Sequence, residues 1–499
     1  MYLVICFALN LNISSIAYCA NINVAGTQLP SNLGNPYKSI SVTPGSLLGL
    51  IYDGLTLIDE EGQLQPALAT SWKSDGNRKW VFKIRDGVYF HNNILNSAEN
   101  IAQNINFVIQ DENLVYPISV ELKSISYARP INNSTLEITT HQRDPMLPKK
   151  MSLMRIVDFA TWSKIGANNY SKEPIGTGPF YLKSWNEGGA VKFIRFKKYW
   201  ATANMINNLK IYPLKDPISR VQALVSGQVD IALGLSPDDI DILRDNQLSF
   251  KVNQSKQVLA IALPNMNKKE SPLNNIQVRQ ALNYAIDRKS IVSEILGGHF
   301  NIANQGATKE NFGYNENIIP YDFDPKKARL LLKESGYGKG FSLILEVLVG
   351  LGPADSLIYQ RVAQDLSKIN IKVFLKTTSY TERTRKYFTN DWNEIDAFSI
   401  LWNNSPYNDT GRSLESFSCI KVNPFFCDRE IAEKIKISKL EMNTEERKKQ
   451  LENIMSEMNY LAPSINIIEY GSIIGLNKLI RDIVIEPTGV AYEKIIIAN

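Results

Sequence analysis

The chain has three histidines, His91, His141 and His299. They stand far apart, and none has the spacing of an HExxH zinc motif, so surface or turn histidines are the plainer reading. No G-x-S-x-G nucleophile elbow occurs. Gly336-Tyr337-Gly338-Lys339-Gly340 follows a helical segment and lacks Walker spacing. It reads as a helix stop and turn rather than a phosphate cradle. Carboxylate pairs such as Asp238-Asp239 lie in polar text and read as solvated helix caps. Cys419 and Cys427 stand eight residues apart in a loop-like stretch, SCIKVNPFFC. In an oxidising compartment they can close a disulfide, and otherwise they are free buried thiols. Two thiols without a nearby histidine do not complete a zinc shell. The expectation is therefore no catalytic residue, no metal site and no cofactor, and a chemistry of binding.

With 499 residues and 44% apolar content, the chain can build a sizeable core and exceeds one ordinary domain. A net charge of +5 is too small and scattered to point to nucleic acid. Residues 1–20 are apolar, uncharged and end in small residues, which predicts a signal peptide and export, although no Lys or Arg precedes the apolar run. A buried first strand or helix is the alternative. Cys6 and Cys19 fall inside this segment. Ile16 to Cys19 faintly resembles a lipoprotein box, but Tyr18 is too bulky before the cysteine, so lipid anchoring is not expected. No other stretch is long and apolar enough to span a bilayer.

The elements that must position any site are legible as periodicities. Residues 21–25 predict a first strand, and Trp80 to Ile84 and Leu136 to Thr139 two more. Ser97 caps a helix with Ile101, Ile105, Val108 and Ile109 on one face. Gly176 to Trp200 predicts β-structure. Val221 to Leu233 reads as helix, Gly227 turn and strand. Gln277 to Leu296 predicts one long helix ending at Gly297-Gly298. Asp324-Pro325 opens a helix that Gly336 closes. Phe341 to Val349, a helix capped by Ser356, and Ile371 to Thr377 form one βαβ unit, so part of the sheet is parallel. Residues 429–460 predict an amphipathic helical pair, and the tail predicts strands.

The stretch from residue 48 to 110, LGLIYDGLTLIDEEGQLQPALATSWKSDGNRKWVFKIRDG and onward, closely resembles the signature segment of family 5 extracellular solute-binding proteins. These are the periplasmic dipeptide and oligopeptide binders of ABC importers. Further blocks follow in the family's order: PIGTGPFYLKSW from Pro174, FKKYW from Phe196, VQALVSGQVDI from Val221, VRQALNYAIDRKSIV from Val278, and the helix Asp324 to Gly336. Their plain physical roles remain. Gly176, Gly178 and Pro179 fit a tight turn, Trp72, Trp80 and Trp200 fit core aromatics, and Asp287 with Arg288 fits a helix cap or pair.

The resemblance implies an α/β, two-lobed periplasmic-binding-protein fold of class II, with an extra inserted α+β domain and a hinged ligand cleft. Lobe I would be discontinuous, over residues 21–42, 173–263 and 470–499. The inserted domain would be 43–172, and lobe II 264–469. Crossings near Leu263-Pro264 and Glu469-Tyr470 would form the hinge. The implied function is the periplasmic substrate-binding component of an ABC importer. It would be a monomer that captures peptides or a related small solute and delivers them to an inner-membrane permease. The alternative is the same fold holding a sugar, metal chelate, haem or modified peptide.

In the family's peptide binders the ligand adds as a strand. An Asp three residues after a cleft Trp holds the amine, and in dipeptide binders an Arg after the βαβ strand holds the carboxylate. The matching Trp402 is followed by Ser405, not Asp, and the loop VGLGPADS carries no Arg. Ser405 can hydrogen-bond but cannot neutralise an ammonium, whose unpaired burial is costly. Asp409 and Arg412 are the nearest replacements, or else solvated loop charges. Trp402 is expected as cleft wall, with buried core as the alternative. Tyr37 follows from the family's first cleft loop, Leu33 to Tyr37. A Cys419–Cys427 bridge would stiffen the loop beside the site.

Overall fold

In the computed structural model, described residues are 20–26, 34–38, 42–185, 189–202, 206–265, 270–349, 354–389, 391–392, 394–421, 423–487 and 489–498. Of the expected leader, residues 1–20, positions 1–19 lie outside them, while Ala20 heads the first strand.

The strands are β1 (Ala20–Gly26), β2 (Thr56–Ile58), β3 (Leu64–Pro66), β4 (Ala69–Ser74), β5 (Lys79–Ile84), β6 (Ile125–Asn132), β7 (Thr135–Thr140), β8 (Phe180–Trp185) and β9 (Val191–Arg195). They continue with β10 (Ile206–Pro213), β11 (Ile231–Leu235), β12 (Ser249–Ala262), β13 (Phe341–Leu348), β14 (Ile371–Thr378), β15 (Ala397–Asn403), β16 (Ser464–Leu476), β17 (Ile480–Glu486) and β18 (Gly489–Ile497). Ten of them form one mixed sheet in the order β14-β13-β15-β12-β16-β11-β1-β10-β9-β8. The others form the hairpins β2-β3 and β17-β18 and the small sheet β4-β5-β7-β6.

Two long antiparallel strands, β12 and β16, carry the chain between the halves of the large sheet. One half is β14-β13-β15, with β13 parallel to both neighbours. The other half is built around β1, parallel to β10 and β11. Within the first half β13 and β15 are largely buried, whereas the edge strand β14 is mostly exposed beyond Ile371. Along the β12–β16 ladder, Gln254 faces Gly471 and Gln257 faces Tyr470, so Ser255 and Lys256 bulge out between them. Lys256 takes φ 57°, a left-handed conformation uncommon for a side-chain-bearing residue. Opposite, Gly471 leaves no room for a side chain: a Cβ there would sit 2.3 Å from the Asn253 carbonyl oxygen. The two-lobed α/β expectation holds, and the crossing is one bulged ribbon. Leu263 donates its N–H to Pro463, and Glu469 lies opposite Val258. The two hinge points read from the sequence therefore sit at different levels of this ribbon.

The βαβ unit forms as expected, but its helix, Asp355–Ser367, starts one residue before Ser356 and has Ala354 at its left-handed start. The long helix expected over Gln277 to Leu296 is instead two pieces. Ile276–Tyr284 ends, Asp287 then caps a short turn by accepting from the Ser290 N–H, and Ile291–Ile295 continues with π-type bonding. Buried Arg288 explains the break, because its guanidinium is held by carbonyls of Asn283, Tyr321 and Asn466 that a continuous helix would not present. The helix after Ser97 forms with its Ile101, Ile105 and Val108 face buried. Trp80 is buried, while Trp72 and Trp200 are half-buried against the same core.

Candidate ligand cleft

In an open α/β sheet, ligands sit outside the carboxyl ends of parallel strands. Two sets of such ends meet the β12–β16 crossing from opposite sides. On one side β11 ends at Leu235, opposite Ile473, just beyond Gly471. On the other side β15 ends at Asn403, opposite Gln257 at the bulge. β1 and β13, parallel to them, end at Gly26 and Leu348. The loops after these two strands, 27–33 and 350–353, lie outside the described residues, as does Leu33 of the expected cleft loop.

The end of β15 and the segment after it, into the helix Thr410–Ser416, carry four of the five expected ligand residues. Trp402 is fully buried, and both faces of its indole are taken. Phe417 stacks on one face with ring centroids 3.7 Å apart at 4°. Gly306 lies against the ring, so close that a Cβ there would be 2.2 Å from it. The indole N–H donates to Ser464 Oγ at 3.0 Å. Ser405 is also buried; its hydroxyl donates to Asn403 Oδ1 at 2.8 Å and accepts from Gln257 Nε2 at 3.2 Å.

Asp409 is not a solvated loop charge. It is fully buried and receives two 2.8 Å hydrogen bonds from Arg447, one per carboxylate oxygen. Lys149, from a distant part of the chain, adds a third contact at 3.2 Å. Asp409 also caps the helix Thr410–Ser416 by accepting from the Gly411 N–H. Burial alone would raise its pKa, but the Arg447 and Lys149 charges outweigh that and hold it down to about 2. Arg412 is likewise occupied. It donates to the Asn403 carbonyl at 2.9 Å and to Glu121 at 2.9 Å. Tyr37 stands apart from this group. It is buried among Phe107, Tyr116 and Trp162, and its hydroxyl donates to Asn104 at 2.6 Å. Cys419 and Cys427 are joined as a disulfide, and Asn265 braces the Cys427 backbone at 2.8 and 3.0 Å.

The segment also reaches distant parts of the chain through groups that the sequence reading missed. Asn408, at φ 52°, donates to the Gly62 carbonyl in the β2–β3 turn at 3.2 Å. Gly62 has φ 81°, and a Cβ there would be 1.7 Å from Asn408 Nδ2. Tyr407 inserts into the apolar cluster formed by the inserted segment and the β1 region. Asn408–Gly62, Asp409–Lys149 and Arg412–Glu121 thus clasp this segment to residues 62–149 of the chain. Only Gly62, inside a Glu-Glu-Gly turn, carried a signal; Lys149 and Glu121 lie in ordinary polar helices.

At the crossing itself the ionisable groups are Lys256, Glu310 and Glu469. Lys256 lies 3.8 Å from Glu310, and burial lowers its pKa. Glu469 accepts from Asn301 at 2.8 Å, and burial raises its pKa. Among the described residues no cluster of His, Cys, Asp and Glu could hold a metal ion, and no helix is long and apolar enough to cross a membrane.

Comparison with known proteins agrees with this geometry. The glutathione-binding protein GsiB of Escherichia coli K12 is 27% identical over 344 residues, 68% of this chain and 66% of that protein. The match thus spans just under two thirds of that relative's length. The di/tripeptide-binding protein 1 of Pseudomonas aeruginosa is 26% identical over 475 residues, 88% of this chain and 87% of that protein. The structure of NikA from Brucella suis in complex with Fe(III)-EDTA has the same fold, with a TM-score of 0.83 and 19% identity, covering 96% of this chain and all of that one. The model of the bacterial extracellular solute-binding proteins, family 5 Middle, matches residues 63–422. The chain belongs to the family 5 bacterial extracellular solute-binding proteins.

Proposed function

We propose that this protein captures a small solute, a peptide first of all, outside the cytoplasmic membrane and hands it to an ABC permease. The observation that carries this reading is the pair of opposed carboxyl-end edges flanking one bulged two-strand crossing, in a chain of this family. Closure about that crossing would bury a ligand and present the closed lobes to the permease. The division into residues 21–42, 173–263 and 470–499, an inserted 43–172, and 264–469 fits this scheme, with the pivot best placed at the Ser255–Lys256 bulge. Residues 1–20 would direct export to the periplasm, without a lipid anchor, and the mature chain would act as a monomer. The role is binding, without turnover.

A second reading, a non-peptide solute in the same cleft, is favoured by the loop after β15. Asp409 and Arg412 are already neutralised by Arg447, Lys149 and Glu121, and Ser405 carries no charge. A free ammonium or carboxylate would need partners elsewhere, such as Glu469 or Lys256.

A thermal-shift panel of di- to pentapeptides, with native mass spectrometry of protein purified from its source, separates the two. A ligand that binds only the folded state raises the melting temperature by mass action. A rise confined to one peptide length supports the first reading. A co-purifying non-peptide mass with no peptide response supports the second.

A further inference from the structure

The C-terminal hairpin β17–β18 pairs with no other strand among the described residues, yet it is tied to both strands of the crossing. It follows β16 directly, with Asn477 to Leu479 between them. One side chain ties it to β12: Lys251 Nζ donates to Asp482 Oδ1 at 2.8 Å and to the Ile483 carbonyl at 2.6 Å. Lys251 stands on the same strand as the Ser255–Lys256 bulge, just before it, and opposite Ile474 of β16. Whatever seats this hairpin therefore bears on the pivot.

The hairpin is seated first by apolar side chains. Ile480, Ile483, Val490, Tyr492 and Ile495 share a core with Tyr52 and Ile156. It is seated also by a cluster of charges. Glu486 of β17 and the partly buried Glu493 of β18 face Asp53, Arg155 and Tyr199, and Lys494 lies beside them. Asp53 stands just past the helix Val42–Ile51, which packs on β18. Glu60, between β2 and β3, faces Glu486 and Lys494.

The partners within this cluster are unevenly shared. Asp53 accepts from three neutral donors, Thr177 at 2.8 Å, Trp200 at 2.9 Å and Tyr199 at 3.3 Å. Glu486 takes Lys494 at 2.6 Å. Arg155 donates to the Tyr52 carbonyl at 3.2 Å. Among the described residues Glu493 makes no ion pair. Asp53 and Glu486 already balance Arg155 and Lys494, so Glu493 is the carboxylate without a counter-charge, and Glu60 adds to the excess. Like charges sharing a site resist joint ionisation. Burial, and then the charge of Glu486, pushes the Glu493 carboxyl up to about 7 from 4.5.

We propose that Glu493 makes the β17–β18 hairpin a proton-operated strap on the crossing. Protonated, it leaves the cluster balanced and the hairpin seated. Ionised, it sets a further negative charge against Glu486 and Asp53, loosens the hairpin and, through Lys251, frees β12. The seated form holds the proton more tightly than the loosened one, so seating is firm below pH 4.5 and weakens as pH rises through about 7. That a freer crossing alters closure rests on the binding reading above; the strap itself does not.

Hydrogen exchange of the full chain at pH 5.5 and pH 8, expressed as protection factors, tests this, with small-angle scattering of the ligand-free chain at the same two values. Protection of β17 and β18 should fall at least tenfold at pH 8, and that of Ser249 to Gln254 with it, while β4 and β5 stay unchanged. Glu493→Gln should hold both segments at their pH 5.5 level. Lys251→Met should keep the hairpin's response and abolish that of β12. Equal hairpin protection at both values, or a response that survives Glu493→Gln, overturns the strap. A hairpin response in the parent without one in β12 overturns its tie to the crossing. A constant scattering curve while β12 protection falls overturns the link to closure and leaves the strap standing.

Discussion

Arg447 grips Asp409 through two parallel 2.8 Å hydrogen bonds, and Lys149, 260 residues earlier in the chain, completes the site at 3.2 Å. The carboxylate is thus shared between a tight bidentate partner and a longer contact from a distant segment. Removing one member of such a buried pair strands the other charge, at a cost of about 3–5 kcal/mol. Asp409→Asn should therefore lower unfolding stability by roughly that amount in a urea titration, with Arg447→Met similar. A loss below ~1 kcal/mol would show the pair to be ornamental.

Lys149→Met should act differently. It leaves Asp409 paired with Arg447 but removes the contact to the distant segment around Lys149. Combined with Gly62→Ala, which drives a Cβ into Asn408 at a positive φ, it should raise the ligand-free radius of gyration in small-angle scattering. Urea stability should fall far less than for Asp409→Asn. An unchanged scattering curve would remove the clasp from the closure mechanism.

Gly306→Ala should disrupt the Trp402 seat, since the new Cβ cannot fit against the indole. Trp402→Ala leaves a cavity beside Phe417 and should cost about 3–5 kcal/mol. Either change should lower the melting temperature by several degrees. Were Trp402 a stacking platform for ligand instead, Trp402→Ala would reduce affinity with stability intact.

The pH dependence has a specific origin in Glu493. Burial, and then the charge of Glu486, pushes its carboxyl up to about 7 from an ordinary 4.5. Between those values the folded chain keeps a proton that the unfolded chain has lost, so this group's contribution to stability falls as pH rises from 4.5 through 7. Glu493→Gln removes the effect. The variant should melt higher than the parent at pH 8 and match it near pH 4.5. Asp409 works in the opposite sense: its contribution is present above 3.8 and is lost as pH falls through about 2.

The Cys419–Cys427 bridge closes a short loop. Chain-entropy arguments give a loop of that length about 2.5 kcal/mol. Mild reduction should lower the melting temperature and increase exchange of amides in 419–427, and Cys419→Ser should reproduce both. A reduced protein with parental melting would mean that Asn265 alone holds this loop.

Much of the fold was legible because its signals are local. Alternating and continuous apolar runs gave β1, β5, β7 and the β13–β14 unit, while Ser97, Asp324 and Gly336 marked helix ends. The break after Tyr284 was not legible. It depends on carbonyls brought from Tyr321 and Asn466 to Arg288, and no window around Gln277 to Leu296 contains them. The candidate site was half legible. Trp402, Ser405, Asp409 and Arg412 do share one segment, from the end of β15 into the next helix, but the partners of Asp409 stand 38 residues away for Arg447 and 260 for Lys149.

From the sequence alone came the family, the two-lobed α/β architecture and the absence of the usual charged anchors, because ordered motifs and residue identities need no third dimension. Tertiary structure decided what the charged loop residues do. A carboxylate looks the same in a string whether it faces water or a guanidinium, and only the packing of distant elements around Asp409 brings Arg447 and Lys149 to it.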